Sequence, residues 1–163
     1  MLFRSYSALA PNTSAPILVT DSYTTGSGPS YDNGTSVLRT DTIISGLSAG
    51  NVQVVATGWI KSGGWESKPN NPSVAYINST SSNKLTLKAN DYIALYYARV
   101  NLPNGTLELQ AGTTVSQDAS AAIYANTLIL GSADGGTSKP AVTLTAATNY
   151  LTNLEANNIS SLS

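Results

Sequence analysis

The sequence predicts an all-β chain folded as a single β-sandwich, and three observations predict it. Short segments rich in Val, Ile and Thr recur along the chain, each bounded by Gly, Pro, Asn or Asp. In several of them apolar and polar residues alternate, as they do in a strand with one wet face. Helical periodicity is confined to one short stretch near the C-terminus. With 163 residues, 41% of them hydrophobic, the chain is long enough for one domain with its own core and too short for two.

The predicted sandwich spans residues 15–148. PILVTDSYTT (16–25) opens it and runs into the loop GSGPSYDNGTS; SVLRTDTII (36–44) and NVQVVATGWI (51–60) follow. SVAYIN (73–78), NKLTLK (83–88), DYIALYYARV (91–100) and GTLELQA (105–111) come next, then AAIYANTLIL (121–130) and PAVTLTAA (140–147). Leu85 and Leu87 flank Thr86, and Leu107 and Leu109 flank Glu108, so each of these strands has one dry face. No repeat of fixed period stands out. Residues 1–14 read as an N-terminal arm. Residues 149–163 read as a C-terminal arm or a short helix, with Tyr150, Leu151 and Leu154 on one side at helical spacing.

DYIALYYARV stands apart. As one strand it places Ile93, Leu95 and Tyr97 on one side and Tyr92, Ala94, Tyr96, Ala98 and Val100 on the other. Both faces then want cover, from an arm, from a neighbouring subunit, or from a long loop over a central strand. Tyrosines suit an interface, because each offers a large ring and one hydroxyl to satisfy at its edge.

Composition narrows the function. Only 10% of the residues are charged, against about 25% in an ordinary soluble protein. The surface must be solvated by hydroxyls and amides, which suits contact with other copies or with glycans. Net charge is −1 and no run of Lys or Arg occurs, which excludes a nucleic-acid stripe and a polybasic membrane patch. No apolar run approaches the ~18 residues of a membrane span. Arg4 interrupts the apolar N-terminus MLFRSYSALAP, so a complete chain would be made in a cytoplasm without a signal peptide. Without histidine or cysteine there is no Ser–His–Asp device, no typical zinc site and no disulfide. The nine acidic residues are scattered, Asp91 reads as a turn cap and Glu108 as solvent-facing. The expectation is a protein that is not an enzyme and takes no cofactor and no metal. Tyr31-Asp32-Asn33-Gly34 and Asp134-Gly135-Gly136 look like pieces of calcium loops but read as turns.

One stretch is a candidate ligand site: GWIKSGGWESKPNNP, residues 58–72. Trp59 ends a strand and reads as core. Trp65 sits among glycines, where an exposed ring would stack on a sugar while Glu66, Lys68 and Asn70 bind hydroxyls. The alternative is that Trp65 pins the loop or fills a subunit contact.

NKLTLKANDYIALYYARVNLPNGTLELQAG (83–112) resembles the back half of the jelly roll found in viral capsid and decoration proteins and in tumour-necrosis-factor-like domains. The resemblance implies a jelly-roll-like sandwich and a non-enzymatic virion structural protein, capsid or capsid-decorating, that self-associates. Its partners would be copies of itself and other virion proteins. No single residue is carried over from the resemblance; from the apolar arms and strands themselves, Leu2, Phe3, Tyr6, Leu9, Tyr92, Tyr96, Tyr150, Leu151 and Leu154 read as the assembly interface. Two other classes fit the same composition: a glycan- or receptor-binding head on a phage fibre, and an extracellular filament subunit that donates a strand to its neighbour.

Overall fold

The structure, a computed structural model, describes residues 17–20, 36–62 and 75–163. The predicted arm residues Leu2, Phe3, Tyr6 and Leu9, and the predicted ligand residues Trp65, Glu66, Lys68 and Asn70, lie outside the described residues. The elements are β1 (Ile17–Thr20), β2 (Ser36–Arg39), α1 (Thr40–Ala49), β3 (Val52–Ala56), β4 (Ile60–Ser62), β5 (Ala75–Asn78) and β6 (Lys84–Ala89). They continue as β7 (Tyr92–Leu95), β8 (Ala98–Ala111), β9 (Thr114–Gln117), β10 (Ala122–Ser132), β11 (Ala141–Leu144), β12 (Tyr150–Asn157) and β13 (Ser161–Leu162).

Every strand pairing among them is parallel, and the chain winds in stacked coils: a β-solenoid of about four turns. This overturns the jelly-roll-like β-sandwich, which is built from antiparallel neighbours. The coils have three faces. The first carries β3, β6 and the C-terminal halves of β8, β10 and β12; the second carries β4, β7, β9, β11 and β13, with β1 and β2 continuing beyond β4. The third is made of β5, the N-terminal halves of β8 and β10, and the start of β12.

The core is a set of columns in which each coil places the same kind of side chain beneath the last. On the first face Val52, Leu85, Leu107 and Leu128 stack, as do Val54, Leu87, Leu109 and Leu130. Ile60, Ile93, Val115 and Val142 stack on the second, and Ile77, Val100 and Ile123 on the third. All are buried, and each such side chain contributes about 1.5–3 kcal/mol of transfer free energy.

The apolar faces of DYIALYYARV have a simple origin in this winding. It is two strands, with a corner at Tyr96 and Tyr97 where Tyr97 takes a left-handed backbone (φ 45). Ile93 and Leu95 point inward on the second face and Ala98 and Val100 inward on the third, so the corner resets the alternation. NVQVVATGWI bends in the same way between β3 and β4.

Two further expectations change. SVLRTDTII stops being a strand at Arg39, where α1 begins. Thr40, Ile43 and Leu47 share the helix's buried face, which packs on β2, β3 and β5 and closes that end of the apolar interior. Burying Ile43 and Leu47 there outweighs the strand propensity of a run containing Thr40, Thr42, Ile43 and Ile44. Asp41 in the first turn meets the positive end of the helix and pairs with Arg39 at 2.8 Å. Residues 150–157 form strand β12 rather than a helix. They pair with β10, so 149–163 is the last coil and not an arm.

One corner is held by an amide pair. Gln117 follows Leu95 in an inward column and is only 3% exposed. Its Nε2 donates to Asn149 Oδ1 (2.8 Å) and Asn149 Nδ2 donates back to Gln117 Oε1 (2.7 Å). Asn149 Oδ1 also accepts the Ile123 amide (2.9 Å). Asn149→Ala strands the Gln117 amide in the core, and the expected cost is about 1–3 kcal/mol in urea unfolding. The double variant Gln117→Leu/Asn149→Ala is expected to recover part of it, because the Gln117 amide is removed with its partner and only the Ile123 amide is left without its side-chain acceptor.

Candidate binding face

The outward positions of the third face form two columns. In one, Tyr76, Arg99 and Ala122 are neighbours in register; in the other, Asn78, Asn101, Tyr124 and Tyr150. The alternation that buries Ile77, Val100 and Ile123 sends these side chains outward. Asn101 Nδ2 donates to Asn78 Oδ1 at 2.7 Å, and the Tyr124 and Tyr150 rings stack with centroids 6.4 Å apart and planes 24° apart. Amides therefore lead into aromatics along a single stripe.

Beside the stripe lies a cleft of about 570 Å³, walled by Tyr76, Arg99, Asn101 and Tyr124 and rimmed by Ser120 and Thr148. Ala119 and Ala122 leave the hollow, since larger side chains at these positions would fill it. The rim turn is fixed from within. Asp118 accepts the Ser120 amide (2.9 Å), the Ala121 amide (3.1 Å) and the Ser120 hydroxyl, while Ser120 Oγ accepts the Tyr97 amide (3.0 Å). Arg99 has no such engagement: the ion pairs among the described residues are Arg39–Asp41 and Lys84–Glu108.

A second aromatic cluster sits where the first and second faces meet. Trp59, half-buried just before β4, stacks on Tyr92 with centroids 6.2 Å apart, and Lys61 Nζ lies 4.4 Å from the Trp59 ring centre. A ring face capped by the protein's own ammonium is less available to a ligand. Tyr92 thus belongs to this corner and Tyr96, half-buried, to the next one, whereas Tyr150 joins the third face and Leu151 and Leu154 the last coil. Tyr76, Arg99, Asn101 and Tyr124 were not among the residues singled out by sequence. Their signal was present in AYIN and AIYAN, where a tyrosine interrupts small or aliphatic residues at an outward position.

Two of the described acidic groups, Asp134 and Glu108, are occupied structurally. Asp134 accepts from Ser132 Oγ, from the Ser138 amide (2.9 Å) and hydroxyl (2.8 Å), and from the Gly136 amide (3.3 Å). These donors, Ser132 first, hold its pKa well below the usual carboxylate range. Among the described residues no three metal-ligating side chains gather. Glu108 points outward on the first face, but its side chain is 14% exposed rather than solvent-facing. Burial works to raise its pKa. The Lys84 ammonium at 2.7 Å and hydrogen bonds from Thr86 and Gln110 (each 2.9 Å) outweigh burial and lower it. A lowered folded-state pKa gives stability that is full above the unfolded value and lost as pH falls through the folded one. Urea midpoints taken down an acid series should therefore fall less steeply for Glu108→Gln than for the wild type.

No helix among the described residues is long and apolar enough to cross a membrane. No family model, no curated protein and no solved structure matches the chain.

Proposed function

We propose that the chain is a non-enzymatic glycan-binding β-solenoid that holds an oligosaccharide on its third face, as a receptor-binding head on a virion fibre would. One observation carries the reading: an aromatic, amide and guanidinium stripe beside a cleft, on a face of parallel strands. Tyr124 and Tyr150 offer ring surfaces to the C–H faces of sugars, and Asn78 and Asn101 offer paired donors and acceptors to hydroxyls. Strands repeat at about 4.8 Å, close to the size of one sugar ring, so successive coils can meet successive parts of a chain. Among the described residues the cleft walls supply no pair of carboxylates, which favours binding over hydrolysis. With the sandwich gone, a capsid-shell role loses the resemblance that motivated it.

On a glycan array followed by calorimetry, Tyr124→Ala is expected to weaken the best ligand at least about tenfold, equivalent to about 1.4 kcal/mol. Tyr92→Ala, at the other aromatic cluster, should leave binding unchanged. Equal binding by Tyr124→Ala and the wild type would refute the assignment of the face.

A second reading, self-association, has its own observation. Leu154 (48% exposed) and Leu162 (44%) occupy inward columns of the last coil, below Leu128 and Val142. Light scattering should then give a mass above the monomer that falls to the monomer in Leu154→Ser/Leu162→Ser. A wild-type monomer at high concentration removes this reading.

A further inference from the structure

Resting on the glycan-binding reading, we infer that the ligand is an acidic oligosaccharide, and that Arg99 takes the carboxylate of a uronic or other carboxylated sugar residue. Among the described residues the positive charge of the cleft has no counterpart. Arg99 is exposed and makes no ion pair with any described residue. The nearby rim carboxylate, Asp118, is already turned inward to two amides and a hydroxyl. A guanidinium is a rigid planar fork that matches a carboxylate with two parallel hydrogen bonds.

The surroundings leave that fork accessible from one side. Its neighbour in register on β10 is Ala122, whose methyl lies almost flush with the floor at 8% exposure. A sugar ring entering the cleft therefore meets Arg99 past a methyl and not past a bulky side chain. Asn101 projects from the same strand and the same face, about 6.7 Å further on, where it can bind hydroxyls of the adjoining ring while Arg99 holds the acid group. Tyr124 closes the far side with an aromatic wall. The chain's net charge is only −1, so acid recognition here is local and not a property of the overall field.

The test is an array in which each uronic- or sialic-acid oligosaccharide stands beside its carboxyl-reduced form. The wild type should bind the acidic member at least about tenfold more tightly, with a preference that shrinks as salt is raised. Arg99→Gln should bind both members alike and weakly, with an unchanged melting temperature, since the side chain points into solvent. If the wild type binds acidic and reduced forms equally, or Arg99→Gln keeps the acidic preference, the inference is overturned. Loss of binding in Tyr124→Ala would in that case still support the glycan reading. A wild type that binds nothing on the array overturns both.

Discussion

Gly112→Ala is expected to destabilise the fold by about 3 kcal/mol or more, enough to be read as a large fall in the urea midpoint. A Cβ at this position would lie 1.9 Å from the Asn90 carbonyl oxygen and 2.8 Å from its carbon. Both obstacles are backbone, so no side chain can rotate away. The corner is also where two coils are tied together. Gly112 N donates to Ala89 O (3.1 Å) and Asp91 O (2.9 Å), and Thr113 N donates to Asp91 O (2.8 Å). Making room for a methyl separates these partners. Gly50→Ala is the matched control: nothing lies within 4 Å of its would-be Cβ, and the backbone there is extended. It should shift stability by less than about 0.5 kcal/mol. Gly105 should resemble Gly112, since its Cβ would meet Asn83 O at 2.7 Å and Ser81 O at 2.9 Å.

The second large effect is a gradient down one column. Leu107 has Leu85 on one side and Leu128 on the other and is fully buried, so Leu107→Ala should cost about 3 kcal/mol through lost contacts and a residual cavity. Leu154 belongs to the same column but is half exposed, and Leu154→Ala should cost about 1 kcal/mol or less. Chemically identical substitutions thus separate by position in the stack. Equal costs at the two sites would contradict the winding described here.

Much of the local structure was legible in the sequence, and the architecture was not. Alternation at Leu85, Thr86 and Leu87, or at Leu107, Glu108 and Leu109, assigns strands and inward residues correctly. A sandwich and a solenoid share that alternation, so it cannot choose between them. The discriminating signal is vertical. VQVVATGWI (52–60), LTLKANDYI (85–93) and LELQAGTTV (107–115) are one motif, two aliphatics flanking a residue, then Ala, a tight corner and a β-branched residue. It is hidden because its spacing varies, with extra residues between β4 and β5 and between β10 and β11. Tight corners such as Asn90-Asp91 also imitate hairpin turns in a sequence of Asn, Asp and Gly. The candidate face was illegible for a related reason. Tyr76, Arg99 and Tyr124 lie on three different coils, and only the parallel register brings them together. Tyr92, Tyr96 and Tyr97 look like one unusual apolar strand only in a straight chain; here the chain turns a corner between them.

The central claim, that the third face binds glycan, is tested most directly by hydrogen–deuterium exchange with and without the tightest array oligosaccharide at saturation. Slowed exchange confined to β5, the start of β8, residues 118–124 and residues 148–151 is the predicted result. Protection centred instead on the Trp59, Lys61 and Tyr92 corner, or no protection at saturating ligand, would contradict it.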